Sequence, residues 1–518
     1  MNAFKLLEEI RAKQRKTTCC GLPNQTVQQF LQSDPLLSKA IEHAHSRLQV
    51  LEKEFPELLA LSEDALLQRL PEGFLNFYPA DTQSPYVPLG AKGPWIISLA
   101  GGVIYDTGGY GMLGHGHDPE SVRNVLSGPQ IMANIMTPSF SQYRFTKKIR
   151  SQIGHLRNKP GCPYEKFICM NSGSEGMGVA LRITDAIAKK MTDPKGRFEG
   201  CTIKLGSLSG SFHGRTTRPA RISDSSRKKY LELASYRNST EHFTVSPNDV
   251  SHLRQTFEQL LRDGNYIEVF AIEPVMGEGN PGCAVTREFY DEARRLTREA
   301  GAIFIVDSIQ AGLRTHGVLS IVDYPGFRDC EPPDIEVFSK ALNAGQYPLS
   351  VIALREEIAK GYVIGTYGNT MTANPRALDV ACKVLDECSP ELAANIEARG
   401  NEFVEKLSLL QTELNGIITK VQGTGLLVSA ELRDDIRVVG FDAAEQKLRK
   451  RGINVIHGGA NCLRFTPWFQ MRSSEISLIC SMIKEVLLEM TGQSQAKVCS
   501  EKSSSGGASR PETTSPIH

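Results

Sequence analysis

Apolar strand-like runs alternate with helical segments between residues 165 and 355 of this chain. The runs cover residues 166–170, 201–205, 269–273, 302–307, 335–338 and 351–354. Helical spacing of apolar residues follows the first run over 176–190 and the third run through Phe289, Ala293, Leu296 and Ala300. This alternation predicts an α/β fold with a mainly parallel sheet that helices cover on both faces. Ligands of such sheets bind at the carboxyl ends of the strands.

The 518 residues are enough for several sub-domains. We expect an N-terminal helical extension and entry segment over 1–94, a large domain over 95–374 and a smaller α+β domain over 375–491. A single long helix is expected at about 375–412. The Ser- and Gly-rich stretch at 492–518 is typical of a disordered tail.

Charge and composition exclude several classes of protein. The net charge of +1 gives no bulk attraction to nucleic acid or anionic membrane. The twelve cysteines are scattered without a C-x-x-C motif, which favours reduced thiols and a cytoplasmic protein. The first 16 residues contain Glu8 and Glu9 and lack the apolar core of a secretory signal, and no apolar run is long enough to span a bilayer. We therefore expect neither a nucleic-acid nor a membrane partner.

Two glycine-rich segments contain motifs that are only weak evidence for a metal site or a dinucleotide site. His115 and His117 form H-x-H, but no carboxylate or cysteine stands at matching spacing, so a pocket-lining loop is favoured over a metal site. Gly277, Gly279 and Gly282 match G-x-G-x-x-G. A dinucleotide site needs those glycines in a tight turn leading straight from strand to helix. Residues 274 and 283–285 interrupt that path and argue against a dinucleotide site.

Candidate ligand-binding residues follow the first two strands. Residues 171–175, with the sequence NSGSE, lie between a strand and a helix, where backbone N–H groups can bind a phosphate. A simple helix cap without a ligand is an equal alternative. In the segment 212–215, with the sequence FHGR, Phe212 could stack on a planar ring and Arg215 could bind a carboxylate. Phe212 could equally be an ordinary core residue.

Asp307 ends the most hydrophobic strand, and Lys340 follows a later one. A buried carboxylate requires a positive partner, such as a protonated pyridine nitrogen, although a helix N-cap is the plainer interpretation. Ile309 could then pack on the ring, and Gln310 could reach a ring hydroxyl. A phosphate site, an aromatic residue, a carboxylate and a lysine are together what pyridoxal 5′-phosphate requires.

The chain from about 95 to 470 resembles the class III pyridoxal-phosphate aminotransferases, the group of ornithine, acetylornithine, 4-aminobutyrate and lysine ω-aminotransferases. The motifs that carry the resemblance occur in the family's order: residues 171–175, 212–216, Glu273-Pro274 with 277–279, Asp307 with Gln310, Ser339-Lys340, Thr370 before Asn374-Pro375, and Arg464-Phe465. The resemblance implies a fold-type I pyridoxal-phosphate-dependent transferase that moves an amino group from an amino acid or ω-amine to a 2-oxo acid such as 2-oxoglutarate.

The resemblance also implies a role for each site residue. The implied cofactor-binding residues are Ser172, Gly173 and Ser174 for the phosphate, Phe212 and His213 at the ring, Asp307 at the ring nitrogen, Ile309 beneath the ring and Gln310 at the ring hydroxyl. Lys340 is implied as the Schiff-base lysine and as the base for the proton shift, which makes Lys340 and Asp307 the catalytic residues. No metal is implied.

Substrate and partner contacts are implied in the same way. Thr370, or alternatively Thr366, would bind the cofactor phosphate of a second subunit, so the active site would require a homodimer. Glu278 would mask Arg464 with an amine substrate, and Arg464 would bind the carboxylate of a dicarboxylate substrate. Arg215 completes the implied substrate-binding set.

Other functions remain open on the sequence. An aminomutase or an amino-acid racemase could use the same cofactor, and a non-catalytic relative or an NAD oxidoreductase are alternatives of different classes. The family usually has Glu and Thr where this chain has Ser308 and Ala311. The segment 312–317 is one residue shorter than usual, and 108–117 aligns poorly with the pocket tyrosine of ornithine aminotransferases. These departures leave the substrate open.

Overall fold

The structure is a computed structural model that describes residues 2–13, 16–237 and 239–492. The predicted tail lies outside the described residues, apart from Gly492. The strands are β1 (Pro88–Lys92), β2 (Trp95–Ser98), β3 (Val103–Asp106), β4 (Lys166–Met170), β5 (Thr202–Leu208), β6 (His242–Val245), β7 (Asn265–Ile272), β8 (Ile303–Asp307), β9 (Ile335–Phe338), β10 (Ser350–Leu354), β11 (Ile418–Thr424), β12 (Leu427–Leu432), β13 (Ile453–Asn454), β14 (Ile456–Gly458) and β15 (Cys462–Phe465).

Helices pack against each of the three sheets. They are α1 (Ala3–Arg11), α2 (Asn24–Ser33), α3 (Pro35–Glu54), α4 (Pro56–Leu59), α5 (Glu63–Arg69), α6 (Glu120–Ser127), α7 (Phe140–Gln152), α8 (Gly173–Thr192), α9 (Thr217–Arg221), α10 (Arg227–Tyr230), α11 (Val250–Arg262), α12 (Arg287–Ala300), α13 (Glu356–Gly361), α14 (Pro375–Asp386), α15 (Pro390–Glu413), α16 (Ala444–Lys450) and α17 (Ser473–Met490).

The large sheet has seven strands in the order β4-β10-β9-β8-β7-β5-β6. All neighbouring pairs are parallel except those of β10, which runs antiparallel to β4 and β9. The predicted α/β fold with a mainly parallel sheet is therefore confirmed. Strand β6 was not predicted, because its four residues are mostly half-buried and lack the apolar signal of the central strands.

The functional edge of this sheet follows from the strand directions. Strands β4, β9, β8 and β7 point the same way, so residues just past their ends meet at one edge. Asn171, Glu273, Asp307 and Lys340 all stand at or just past such an end. Sequence reasoning predicted this convergence.

The C-terminal part of the chain forms a four-stranded antiparallel sheet, β11-β12-β15-β14. Helices α15 and α17 pack against each other, and α15 packs on β11. The expected continuous helix over 375–412 is wrong, because α14 ends at Asp386 and α15 starts at Pro390. Ser389 caps the new helix by accepting a hydrogen bond from the Leu392 N–H at 3.2 Å. A proline at the first helical position has no N–H to donate, which suits a helix start.

The N-terminal helices pack on a second four-stranded sheet, β1-β2-β3-β13. Trp95 is fully buried there, and its indole N–H donates to Asp34 at 2.8 Å, which joins the extension to the sheet. Strand β13 comes from the C-terminal part of the chain and pairs in parallel with β3. The domain limits 1–94, 95–374 and 375–491 stay a prediction.

Candidate active site

A cavity of about 520 Å³ opens at the carboxyl edge of the large sheet. It is lined by Phe77, Tyr78, Tyr110, Met112, Asn171, Ser172, Gly173, Ser174, Phe212, His213, Gly214, Arg215, Glu273, Gly277, Glu278, Asp307, Ile309, Gln310, Ser339, Lys340, Asn343, Gly345, Gln346, Tyr347, Pro348 and Arg464. Every site residue predicted from the sequence lines this cavity except Thr370. The role of each residue stays a prediction, but the residues do meet.

Lys340 follows β9 and begins a short 3₁₀ turn, Lys340–Asn343. Its backbone lies in the left-handed region with φ of 48°, which is unfavourable for a residue other than glycine. Its ammonium nitrogen donates to the Gln310 side-chain oxygen. Burial lowers the pKa of Lys340 to about 8, and the positive charge of Arg464 contributes to this lowering. The amine can therefore gain or lose a proton near neutral pH.

Asp307 lies at the last position of β8 and is 3% exposed. Its Oδ2 lies 2.9 Å from Nδ1 of the buried His213. Its Oδ1 accepts a hydrogen bond from the Ile309 N–H at 3.1 Å. In the described residues the His213 Nε2 has no hydrogen-bond partner. The sequence named His213 within the ring-binding motif but did not predict that it supports Asp307.

Glu273 is a second buried carboxylate at the same edge. Its Oε1 accepts from the Phe212 N–H at 2.9 Å, and its Oε2 accepts from the Gly277 N–H at 2.8 Å. Burial raises its pKa to about 7, which His213 opposes and the negative Asp307 reinforces. The sequence singled out Glu273 as part of a motif without a role.

The predicted phosphate site is the N-terminus of α8. Ser172 caps the helix with Glu175 in a capping box: its Oγ accepts from the Glu175 N–H at 3.3 Å, and the Glu175 carboxylate accepts from the Ser172 N–H at 3.1 Å. A β-carbon on Gly173 would lie 2.9 Å from Ile309 Cδ1, so only glycine lets the helix approach this close. The Ser174 Oγ accepts from the Arg215 N–H at 3.2 Å. Free N–H groups of the first helical turn remain available to an anion.

The predicted substrate arginine, Arg464, lies on β15 and is 7% exposed. Its Nη1 donates to the Gly277 carbonyl at 2.5 Å. Burial is the larger influence on the pKa of Arg464 and lowers it, whereas the nearby negative charge of Glu278 opposes that lowering. Among the described residues the two side chains form no salt bridge within 4 Å, so the implied masking pair is not closed in this structure.

An aromatic series forms one wall of the cavity and was not predicted. The Arg215 guanidinium lies 4.9 Å from the Phe212 ring centre and 5.4 Å from that of Phe77. Phe77 contacts Tyr78, whose ring centre is 5.5 Å from that of Tyr110. Phe77 and Tyr78 come from an irregular segment without periodicity, so no sequence signal placed them here. The loop containing Tyr110 was predicted to line a pocket, and it does.

Thr370 and Thr366 lie away from the cavity lining, in the segment between α13 and α14. Thr370 is exposed, and its carbonyl accepts from the Asn134 side chain at 3.0 Å. Thr366 is half-buried, and its hydroxyl donates to the Val363 carbonyl at 2.7 Å. Neither is among the residues that line the cavity of its own chain.

The histidines of the H-x-H segment contact different carboxylates. His115 lies 2.9 Å from Glu387, and His117 lies 3.0 Å from Asp106. In the part of the chain that the structure describes, no group of three or more potential ligands could hold a metal ion. Nor does any described helix combine the length and apolar character needed to cross a membrane.

The site fits pyridoxal 5′-phosphate on its own geometry. A helix N-terminus at the cavity can hold a phosphate, and the buried carboxylate of Asp307 can pair with a protonated ring nitrogen. Gln310 lines the cavity and accepts from Lys340 through its Oε1, and its buried Nε2 lacks a hydrogen-bond partner within the described residues. These features define a pyridoxal-phosphate-dependent enzyme of the fold-type I class.

Residues 77–487 match the family described as "Aminotransferase class-III", so the chain belongs to the class III aminotransferases. It is therefore a pyridoxal-phosphate-dependent aminotransferase that moves an amino group from a donor to a 2-oxo acid. The resemblance inferred from the ordered motifs is confirmed, as are the cofactor and the reaction class.

Relatives and solved structures agree with this assignment. The chain is 27% identical over 429 residues to an ornithine aminotransferase of Staphylococcus carnosus, covering 82% of this chain and 99% of that one. It is 26% identical over 413 residues to an acetylornithine aminotransferase of Neisseria meningitidis, covering 78% and 96%. A crystal structure of the Toxoplasma gondii ornithine aminotransferase, with partial occupancy of pyridoxal phosphate at its active site, superposes with a TM-score of 0.71 at 22% identity, covering 86% and 98%.

Proposed function

We propose that this aminotransferase takes its amino group from an ω-amino donor and passes it to 2-oxoglutarate. The observation that carries the proposal is the meeting of Lys340, Asp307 and Arg464 in one cavity. The names of the relatives favour ornithine or N-acetylornithine as donor. Glu278 and Arg464 line the same cavity, and an acidic and a basic group there suit alternating amine and dicarboxylate substrates.

Each residue of the proposal has a physical task. The cofactor supplies the electron sink when it is bound, and Ser172, Gly173, Ser174, Phe212, His213, Ile309 and Gln310 would hold it. Asp307 offers a negative charge to the ring nitrogen, with His213 fixing its orientation. The Nζ of Lys340 holds or releases a proton near neutral pH. Arg464 and Arg215 are the cations available to the two carboxylates of 2-oxoglutarate.

Purified protein with added pyridoxal phosphate should form glutamate from 2-oxoglutarate only when an amino donor is present. The donor panel contains ornithine, N-acetylornithine, 4-aminobutyrate and lysine. Conversion of a single amino acid to its isomer or mirror image without any 2-oxo acid would instead show an aminomutase or a racemase. The absence of glutamate with every one of these donors would overturn the donor class but leave the reaction class in place.

We also propose that two chains form a homodimer whose active sites share residues. Two contacting segments, 131–143 and 363–371, expose many large apolar side chains. These are Ile131, Met132, Ile135, Met136, Phe140, Tyr143, Val363, Ile364 and Met371. Asn134 and Thr370 join the two segments. An exposed apolar surface of this kind favours a protein interface, and it would carry Thr370 to the phosphate site of a second copy.

Hybrid dimers test this sharing of residues. Lys340→Ala and Thr370→Ala homodimers should each be impaired, whereas a hybrid of the two has one site with both residues intact. After mixing and exchange of subunits, activity should recover to about a quarter of wild type, since half of the dimers are hybrids with one of two sites restored. A monomer in solution, or no recovery despite exchange, would overturn the proposal. The same pair with Thr366→Ala tests the alternative threonine.

We propose a cytoplasmic location on the state of the cysteines. All eleven cysteines in the described residues are unpaired thiols, and Cys19, Cys330, Cys382 and Cys462 are buried. Reduced thiols of this number suit a reducing compartment. Fractionation of cells that express the native chain tests the location.

A further inference from the structure

Glu273 makes a contact pattern that the aminotransferase reaction does not account for. The carboxylate is 3% exposed and makes no salt bridge within 4 Å in the described part of the chain. Each oxygen instead accepts one backbone N–H, and the two N–H groups belong to different loops. The Phe212 loop follows β5, and the Gly277 loop follows β7. One buried side chain therefore joins two loops that line the cavity.

Both loops carry groups that line the cavity. Phe212 is in the aromatic wall beside Arg215. Gly277 donates its N–H to Glu273 at 2.8 Å, and its carbonyl, which belongs to the next peptide group, accepts from Arg464 Nη1 at 2.5 Å. Hydrogen bonds thus link Phe212 to Glu273 and Glu273 to Gly277, and the Gly277 α-carbon connects these to the bond with Arg464.

The packing around Gly277 leaves its backbone little room to move. A β-carbon at Gly277 would lie 2.6 Å from Gln310 Cγ and 3.2 Å from Glu273 Oε2. The peptide is therefore held between Glu273 and the side chain that contacts Lys340. Displacement of the Glu273 carboxylate would move the Gly277 carbonyl and with it the Arg464 guanidinium.

We propose that Glu273 is a positioning residue that fixes Phe212 at the cofactor side of the cavity and Arg464 at the substrate side. It acts through its hydrogen bonds to the backbone N–H groups of Phe212 and Gly277. The inference rests on the proposed function only in assigning Arg464 to a carboxylate of the 2-oxo acid.

The charge state of Glu273 should matter for this role. An ionised carboxylate accepts both N–H groups, whereas a protonated one places a hydroxyl hydrogen toward one of them. Burial raises the pKa of Glu273 to about 7. The charged and titratable groups that face it are His213 from the β5 loop, Asp307 from β8, Lys340 from the β9 turn and Arg464 from β15. Both hydrogen bonds are therefore at full strength only above about pH 7.

The decisive variant is Glu273→Gln, which keeps one acceptor and turns an amide NH₂ toward the other backbone N–H. Its matched control is Glu268→Gln, a buried carboxylate on the same strand β7 that contacts Thr184 and Arg218 away from the cavity. Two quantities are measured at pH 8: the dissociation constant of pyridoxal phosphate from cofactor-free protein by absorption titration, and KM for 2-oxoglutarate.

For Glu273→Gln we expect both constants to rise by about tenfold, a change typical of one lost charge-assisted hydrogen bond, with a smaller change in kcat. Glu268→Gln should leave both within about twofold, although it lowers the melting temperature. Unchanged constants for a folded Glu273→Gln protein would overturn the proposal.

Two further measurements separate positioning from general destabilisation. The ratio of the variant to the wild-type dissociation constant should shrink as the pH falls from 8 to 6, because protonated Glu273 then resembles glutamine. A ratio independent of pH would contradict the role of the charge. In the wild-type protein alone, hydrogen-exchange protection factors of the Phe212 and Gly277 amides should rise together between pH 6 and 8. Independent or flat protection would overturn the proposal even if the variant did not fold.

The failure of this inference differs from that of the proposed function. If wild type forms no glutamate with any donor while cofactor binding still depends on Glu273, only the substrate assignment is lost. If transamination is robust and the Glu273→Gln constants are unchanged, only the positioning role is lost.

Discussion

Asp307 and Glu336 are buried carboxylates on neighbouring strands of the same sheet, one residue apart in the β8–β9 register. Glu336 accepts four hydrogen bonds, from Tyr164 Oη at 2.7 Å, Ser308 Oγ at 2.6 Å, Ser320 Oγ at 2.5 Å and the Ile321 N–H at 3.0 Å. Within the described residues, Asp307 accepts from the Ile309 N–H and pairs with His213, which makes two partners instead of four. The first carboxylate is saturated by its own chain, whereas the second keeps capacity for a ligand.

The number of hydrogen-bond partners distinguishes a carboxylate that stabilises the fold from one that can bind a ligand, although the two lie on neighbouring strands. A saturated buried carboxylate holds elements together, since removing it leaves several donors without an acceptor. A carboxylate with spare capacity at the edge of a cavity is available to a positive group. Ser308, the residue after Asp307, contacts Glu336 and not the cavity. The family usually has Glu there, and in this chain Ser308 donates to a carboxylate supplied by β9 instead.

Lys340→Ala should produce the largest effect at the cavity edge. The variant removes the amine that we propose holds the cofactor and moves the proton, so kcat should fall by at least about 10⁴-fold. The melting temperature of cofactor-free protein should not fall, because the left-handed backbone of Lys340 is not relieved or worsened by alanine. Steady-state glutamate formation measures the change in kcat, and a thermal melt measures the melting temperature. Turnover within tenfold of wild type would refute the assignment of Lys340.

Asp307→Asn comes next in size. Asparagine keeps the shape but offers no negative charge to the ring nitrogen, so the rate should fall by about 10² to 10⁴-fold while cofactor still binds. Single-turnover rates and an absorption titration measure these quantities. An unchanged rate would mean that another group meets the ring nitrogen and that Asp307 resembles Glu336 more than we argue.

The sequence was sufficient for the parts of the site that lie along single strands. Polar residues follow the apolar runs, and parallel strands bring such ends together, so the sequence alone predicts that Asp307 and Lys340 share one edge of the sheet. The short motif at 171–175 likewise predicted the start of a helix. Ordered family motifs then indicated the cofactor.

Features that depend on distant parts of the chain were out of reach. Phe77 and Tyr78 enter the cavity from an irregular segment, and the hydrogen bonds from Phe212 through Glu273 to Arg464 join three separate stretches. The break before Pro390 was overlooked because the apolar spacing continues across it. The antiparallel direction of β10 could not be read from a short apolar run, which has the same pattern in either direction.

Glu336→Leu should show the opposite behaviour to the two cavity variants. Leucine has similar volume but leaves four donors without an acceptor, so we expect a loss of about 3 to 5 kcal/mol in the free energy of unfolding. The cofactor dissociation constant should stay within about threefold, since no cavity group is removed. Chemical denaturation and an absorption titration measure the two.

Glu336→Gln is the gentler control for that variant. The hydroxyl groups of Tyr164 and Ser320 can turn to accept from the new amide, so the loss should be only about 1 kcal/mol. If Glu336→Leu loses cofactor affinity as strongly as Asp307→Asn, the distinction between the two carboxylates is wrong.

The smallest expected effect is a shift in the titration of Lys340. Burial first and the charge of Arg464 second lower its pKa to about 8, so its neutral, reactive amine forms as the pH rises through that value. In cofactor-free protein, modification of Lys340 by an amine-selective reagent, followed by peptide mass spectrometry, should have its midpoint near 8. Exposed lysines titrate at about 10.4.

Because burial is the larger cause of the lowered pKa of Lys340, Arg464→Gln should raise the midpoint only part of the way toward that ordinary value. A complete return would mean that charge, not burial, sets the reactivity of Lys340. A midpoint near that of surface lysines in the wild type would remove the basis for a proton-carrying amine at neutral pH.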